Sequence, residues 1–375
     1  MNNLCRTFLL LFLILSFCSN LTAQVAEAPL KFFGYFQTSF QYQGGRQITS
    51  DRTSFSIQQL NLFFQKDLAR DWTAFVNFEI LNNFSLSKQW GAINLEEAWV
   101  RYRASKQFNL KLGLQIPEFN NLNQIKNRTP LLPYIIRPLV YETSFNEFLA
   151  ISEFIPEQAF IQAYGFIPRG ELKFDYAVYI GNSPNIETLA NEHGQSGQDT
   201  TTSVLIGGRI GMRYGEFKAG ISGTFEKSNG WRQVADLLGI DPNELNNIPR
   251  VRLGGDFSFN FKKVVFESEF INVRYDEDFF QLDVDRDFYY GNLGYFISEP
   301  FAIYIGYYQT HERLYAANIS ELVKIETPGI GVTYAFTDRI KIKAQYARVR
   351  VLAGSGIFSV DEKWNFFAMA ISVFF

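Results

Sequence analysis

From about residue 30 to the last residue the chain repeats one pattern, in which apolar and polar positions alternate with a period of two. Phe108, Leu110, Leu112, Leu114 and Ile116 alternate with Asn109, Lys111, Gly113 and Gln115. Leu172, Phe174, Tyr176, Val178 and Ile180 alternate with Lys173, Asp175 and Ala177. A period of two is that of a β-strand whose two faces meet different surroundings. The pattern predicts strands near 30–43, 53–66, 71–83, 92–104, 106–116, 157–167, 171–182 and 202–214, then near 216–228, 249–262, 263–276, 286–297, 299–312, 324–336, 338–351 and 360–375. Tight turns fall at 67–71, 104–106, 168–170, 214–216, 261–263, 298–300 and 337–339. Longer polar connections fall at 44–52, 83–91, 117–156, 183–201, 229–248, 277–285, 313–323 and 352–359. Long and short alternate throughout, which implies about sixteen strands with both termini on one side.

The polar faces are charged: Val251, Leu253, Phe257 and Phe259 alternate with Arg252, Asp256 and Ser258, and Ile340 and Ile342 with Lys341 and Lys343. A soluble core could bury such a face only at a large desolvation cost. In a wide barrel the same face lines water while the apolar face meets lipid. The final strand sets Phe367, Met369, Ile371 and Val373 against Ala368, Ala370 and Ser372 and stops on Phe375. As a free sheet edge it would be adhesive, whereas in a closed barrel it pairs with the first strand. The expected fold is all-β: a transmembrane antiparallel β-barrel of about sixteen strands, with short periplasmic turns, long extracellular loops and an inward-folded third loop.

The chain begins differently. Arg6 precedes an apolar run, Phe8 to Phe17, too short to span a bilayer as a helix, and a polar stretch then ends on Ala23. Residues 1–23 read as a cleaved secretory signal peptide, leaving 24–375 as the barrel. Lipidation at Cys18 is the alternative, disfavoured by the bulky Phe17. Both cysteines lie in this segment, so the mature chain has no thiol for a disulfide or metal site. Removing Arg6 from a formal charge of -3 gives -4, which argues against a nucleic-acid partner. Aromatics make up 17% of the chain with no long apolar run after the signal, as fits strands with one lipid face.

The inward positions supply the candidate pore lining. Its cations are Arg101, Arg103, Lys111, Lys173, Arg209, Arg213, Lys218, Arg250, Arg252, Lys341 and Lys343; its acids are Glu79, Glu97, Asp175, Glu226, Asp256, Glu267 and Glu269. The wall leans positive, which predicts a weak preference for anions; the alternative is that these charges pair across strands and merely solvate the lumen. The connection at 117–156 is far longer than its neighbours yet apolar and proline-stiffened, with Leu131 to Ile136 and Leu139 to Tyr141. Such a segment needs a surface to pack on, and the inner wall provides one. Folded there it becomes a constriction loop bordered by Lys126, Arg128, Arg137, Glu142 and Glu147; the alternative is an extracellular cap or subunit contact.

Other motifs carry no chemistry. Asp283-Val-Asp-Arg-Asp287 has calcium-loop spacing, but Phe288 stands where such a loop needs glycine and Gly294 where it needs an acid. His193 and Ser196 share a Gly/Ser-rich loop with no placed acid, and the only other histidine is His311, so no catalytic residue, metal or cofactor is expected. Asp241-Pro-Asn-Glu244 reads as the start of a short surface helix, and Asn83-Phe-Ser85 matches a glycosylation acceptor by pattern alone.

The chain resembles Gram-negative outer-membrane porins, most closely the phosphate-selective porin O and P family and its Bacteroidota-type relatives. The likeness rests on Phe33-Gly-Tyr-Phe-Gln37, Leu95-Glu-Glu-Ala-Trp-Val-Arg-Tyr102, Leu110-Lys-Leu-Gly-Leu-Gln-Ile-Pro117, Ala163-Tyr-Gly165 and Tyr176-Ala-Val-Tyr-Ile-Gly-Asn182. It implies a location in the cell outer membrane, among lipid and lipopolysaccharide, and a homotrimer delivered to barrel-assembly machinery through Phe375. It also implies passive diffusion of small polar or anionic solutes, with no enzymatic activity. One departure is that Gln58 and Gln59 stand where relatives often place arginine, so phosphate specificity does not carry over. A hydrophobic-substrate transporter barrel and a closed structural or adhesive barrel are the alternatives.

Overall fold

The computed structural model describes residues 28–45, 51–81, 92–125, 128–141, 155, 158–183, 203–228, 248–277, 282–316, 319–355 and 358–375. Within them sixteen strands form one closed barrel in which each pairs antiparallel with its sequence neighbours. They are β1 (Lys31–Gly44), β2 (Arg52–Ala69), β3 (Trp72–Leu81), β4 (Ala92–Arg103), β5 (Asn109–Gln115), β6 (Gln158–Arg169), β7 (Leu172–Gly181) and β8 (Leu205–Tyr214). The remainder are β9 (Phe217–Ser228), β10 (Ile248–Phe261), β11 (Val264–Glu277), β12 (Leu282–Ser298), β13 (Phe301–Ala316), β14 (Ile319–Thr337), β15 (Ile340–Ser355) and β16 (Phe358–Phe374). Each answers to one predicted strand. β16 closes on β1 from Tyr35↔Phe374 to Gly44↔Asn365, and Phe375 continues the seam by exchanging backbone hydrogen bonds of 2.9 and 3.0 Å with Gly34. The chain therefore ends inside a ladder, with no free edge.

At one end the strands join through turns at 70–71, 170–171, 215–216, 262–263, 299–300 and 338–339, with a slightly longer link at 104–108. At the other end the first five connections are long, but three expected loops shrink. The stretches 277–285, 313–323 and 352–359 are mostly strand, leaving only 278–281, 317–318 and 356–357 between strands. Alternation continues through these polar stretches: in β12, Val284 and Phe288 face inward while Asp285 and Asp287 face outward. Their outward side is charged because β12 to β16, 16 to 19 residues long, rise past the apolar belt. Asp285 and Asp287 are paired there with Arg313 at 3.2 and 2.6 Å and with Asn272 at 2.7 and 2.9 Å.

The outer wall is apolar and open, with Ile210 64% and Ile221 68% exposed and Leu253, Ile305 and Ile330 alongside them. A continuous band of this kind is a surface that lipid covers. Among the described residues no helix is long and apolar enough to cross a membrane; the crossing is made by strands. The interior departs from a uniformly wet lumen. Ile271, Val273, Val284, Phe288, Ile325, Val349, Trp364 and Phe366 are inward and buried in one cluster with the third loop. That loop carries apolar side chains of its own, so the wall it covers has matching ones.

Besides register shifts beside three of the short turns, two bulges break the period of two within the wall. Gln37 pairs with Gln59 and Thr38 with Ile57, so Gln58 is extra; Asn77 pairs with Glu97 and Phe78 with Leu95, so Glu96 is extra. An extra residue in one strand lets two neighbours face the same side. Gln58 and Gln59, like Glu96 and Glu97, are all buried.

A single glycine is critical near the turn end. A Cβ on Gly165 would lie 1.8 Å from the carbonyl oxygen of Gln107, which cannot yield without moving the backbone. Gly165→Ala is expected to destabilise the barrel by roughly 2 kcal/mol or more, as overpacking does. Gly170→Ala, at φ +64° with open space around it, is expected to cost about 1 kcal/mol. The heat-induced mobility shift on gels measures both, and an equal or larger effect at Gly170 contradicts the reading.

Candidate pore and its inward-folded loop

The third loop leaves β5 after Gln115 and touches the inner wall almost all the way round. Its first anchor is Glu269 on β11, whose carboxylate accepts from Asn121 N at 2.8 Å, Leu122 N at 2.7 Å and the Tyr141 hydroxyl at 2.7 Å. Beside it Asn120 N donates to Ser222 at 2.9 Å, and Lys218 bonds Asn121. A quarter of the way round the barrel, on β15, Gln345 Oε1 accepts from Ile135 N and Ile136 N, both at 2.8 Å. Gln58 donates to Ile135 O at 3.3 Å, Gln59 accepts from Thr129 N at 3.2 Å, and Thr333 donates to Pro133 O at 2.6 Å. Lys343, 0% exposed, donates to Gln37 Oε1 and Thr129 O at 2.9 Å and to Pro130 O at 3.2 Å.

These bonds explain how a loop with little regular structure is held. Only short 3-10 turns occur in its described part, at Asn123–Ile125, Thr129–Leu131 and Leu139–Tyr141. Its backbone groups must therefore find side-chain partners, and the wall offers amides and one carboxylate. Tyr134, Ile135 and Tyr141 are fully buried, and Tyr134 meets Tyr304 and Tyr308 edge-on. Each such side chain contributes on the order of 1.5–3 kcal/mol. Burial, with Glu269 beside it, holds the Tyr141 phenol well above its ordinary range, so it remains a donor.

Among the expected constriction residues, Arg128 reaches Glu97 at 3.6 Å, whereas Arg137 is 3% exposed and packs within the loop's buried part rather than bordering an opening. Lys126, Glu142 and Glu147 lie outside the described residues, as do the His193, Asp241 and Asn83 motifs and residues 1–23.

The expected lining residues fall into three groups. Arg209 is buried between Asp175 and Asp256, at 2.8 Å from the latter, and Arg250 and Arg252 share Glu226, Arg252 at 2.5 Å; this network is part of the wall. Glu79 and Glu97 lie close to Gln59 and Arg128, Glu269 anchors the loop, and Glu267 accepts from Asn292 at 3.0 Å. The third group sits toward the turn end. Register sets Arg101 directly opposite Lys111, Lys173 opposite Arg213, and Arg213 opposite Lys218. Like charges facing one another destabilise a sheet unless solvent or counter-ions screen them. Arg103, Lys173 and Arg213 are exposed, and Lys341 is half-exposed across the barrel.

Sequence reading noted Gln58 and Gln59 only as departures from the family pattern and did not foresee that they and Gln345 fasten the loop. It also overlooked an inward aromatic row, Phe374–Tyr35–Phe63–Phe75–Trp99, with successive centroids 6.1, 5.2, 5.7 and 4.8 Å apart. Lys111 and Arg101 approach the Trp99 ring at 5.3 and 5.9 Å. Aromatic inward positions in otherwise polar faces were the available signal.

Releasing the first anchor is expected to free the loop. Glu269→Ala leaves three buried donors without their acceptor, at about 1–3 kcal/mol each. The variant is expected to fold yet show increased open-channel noise and rapid thiol labelling of a cysteine placed at Leu122. Unchanged noise and labelling would sink this role for Glu269.

No family model matches the chain, and no curated protein does. Solved structures match over nearly the whole length. An anion-selective porin from Comamonas acidovorans is 13% identical with a TM-score of 0.64, covering 93% of this chain and 100% of that one. The outer membrane channel DcaP of Acinetobacter baumannii and a Salmonella typhi OmpF complex with daunomycin are each 11% identical with TM-scores of 0.59, covering 93% of this chain and 98% of theirs. At these identities the likeness is one of fold, and the fold is the sixteen-stranded antiparallel barrel of Gram-negative outer-membrane porins.

Proposed function

We propose that this protein is an outer-membrane porin whose lumen passes small polar solutes by passive diffusion and favours anions. The observation that carries the anion preference is the like-charge stack Lys173–Arg213–Lys218 on the inner wall, with Arg101 and Lys111 facing one another nearby. Cations so placed, and only partly offset by Asp175, raise the local concentration of anions at a pore mouth. The loop at 117–156 sets the size limit. Resemblance in fold to an anion-selective porin supports this reading, and a Vibrio cholerae barrel of the same fold is described in a trimer form, which supports a homotrimer. The signal at 1–23 and recognition of Phe375 by barrel-assembly machinery belong to the same proposal. No residue is assigned a catalytic role, and phosphate specificity is not part of it.

The deciding measurement is the zero-current potential of the purified protein in planar bilayers under a salt gradient. An anion-directed potential that grows as salt is lowered is the expected outcome. A cation-directed one, or no conductance at all, rejects the proposal.

A further inference from the structure

The outer wall changes character at one level on four adjacent strands. On β13 the outward side chains run Ile303, Ile305, Tyr307, Gln309; on β14, Ile330, Pro328, Glu326, Lys324. On β15 they run Tyr346, Arg348, Arg350, and on β16, Phe367, Asn365, Lys363, Asp361. Apolar side chains lie below and charged ones above, so the step marks the boundary of the hydrocarbon at the long-strand end.

A cleft of about 240 Å³ opens at this step, lined by Tyr307, Glu326, Pro328, Arg348, Arg350 and Lys363. Its cause is local. The β14–β15 register pairs Glu326↔Arg350 and resumes at Gly329↔Ala347, so the ladder is interrupted at Thr327 and Pro328. Proline has no N–H to donate, and the wall is recessed where the ladder stops.

The charges around it do not cancel. Arg350 holds Asp361 through two bonds of 2.9 Å, Lys363 reaches the same carboxylate at 3.2 Å, and Lys324 meets Glu326 at 2.7 Å. Arg348 has no ion pair among the described residues. Four cations therefore face two carboxylates, on a surface that abuts lipid rather than the lumen.

We propose that this cleft binds the phosphate of a phosphorylated lipid of the outer leaflet, with Arg348 as the principal contact and Lys363 and Arg350 beside it. Guanidinium and phosphate are matched in geometry as well as charge. Ile305, Ile330, Tyr346 and Phe367 lie directly below as a surface for the acyl chains of the same molecule. A free phosphate would use only the upper half of this arrangement. The inference rests on the porin reading of the proposed function, with the short turns periplasmic and the long-strand end facing outward.

The test is native mass spectrometry of the detergent-solubilised full chain with bisphosphorylated lipid A, dephosphorylated lipid A, or inorganic phosphate. Retention of bisphosphorylated lipid A is expected to exceed that of the dephosphorylated form by about tenfold, and to fall about as much in Arg348→Gln/Lys363→Gln. Arg348→Lys, which keeps the charge but loses the two-pronged geometry, should bind between the parent and the glutamine variant and shows that the site tolerates substitution; the heat-induced mobility shift reports folding of each variant. Equal retention of both lipids, or by the glutamine variant, overturns the proposal, as does inorganic phosphate binding as well as the lipid. The glutamine variant should leave the bilayer zero-current potential unchanged, because these residues lie outside the lumen. A chain that retains lipid A in this way but conducts nothing would instead overturn the porin reading alone.

Discussion

Reversing the charge of Lys173, Arg213 and Lys218 together is expected to turn an anion-preferring channel into a cation-preferring one. The three side chains are consecutive cross-strand neighbours on β7, β8 and β9, and Asp175 reaches Arg213 at only 3.4 Å. Lys173→Glu/Arg213→Glu/Lys218→Glu replaces three facing cations with three facing acids beside Asp175. At about 0.1 M salt the screening length is roughly 10 Å, comparable to the width over which a mouth charge acts, and at 1 M it is roughly 3 Å. The change of sign should therefore be large in dilute salt and small in concentrated salt. Reversal potentials at two ionic strengths measure it. The neighbouring Arg209 network serves as a control, because its charge is already matched by Asp175 and Asp256. A triple variant with the parental selectivity would show that these cations only solvate the wall.

Excising the loop is expected to have the largest effect on conductance. Replacing residues 118–155 with a short Gly/Ser linker removes the segment that is held by Glu269 on β11 and reaches Gln58 and Gln59 on β2, seven strands away. A sixteen-stranded barrel without such a segment encloses an aqueous channel, so single-channel conductance should rise at least about twofold. The same excision exposes inward apolar residues, Ile271, Val349, Trp364 and Phe366 among them, which the loop now buries. Lower thermal stability should accompany the wider pore. A variant that folds and conducts as the parent does would place the size limit elsewhere.

The distribution of legible and illegible features follows from what each depends on. The sixteen strands were readable because a membrane barrel imposes two environments on every strand, and alternation of single residues records both. β5 shows it: Leu110, Leu112 and Leu114 against Asn109, Lys111 and Gln115. The bulges at Gln58 and Glu96 were not readable, because a period of two has no place for a second inward neighbour. Three expected loops proved to be strand for a related reason. Charge in Asp283 to Asp287 resembled a loop, yet it records only that the strand has risen clear of the lipid on its outer side.

The site divides in the same way. Sequence placed Glu269, Lys343 and the cations of β7 to β9 on the inner face and put the long apolar loop on the inner wall. It treated the inward carboxylate and the lysine as pore charges, whereas one fastens the loop through three donors and the other is sealed beneath it. Strand number, the lipid and inner faces and the inward loop are thus properties of local order, fixed by alternation and connection length. Which charges neutralise one another, which stand facing a like charge, and how much of the interior is packed depend on register. Register is set between strands by pairing around the closed wall, and residues far apart in sequence, such as Gln345 and Ile135, become neighbours only there.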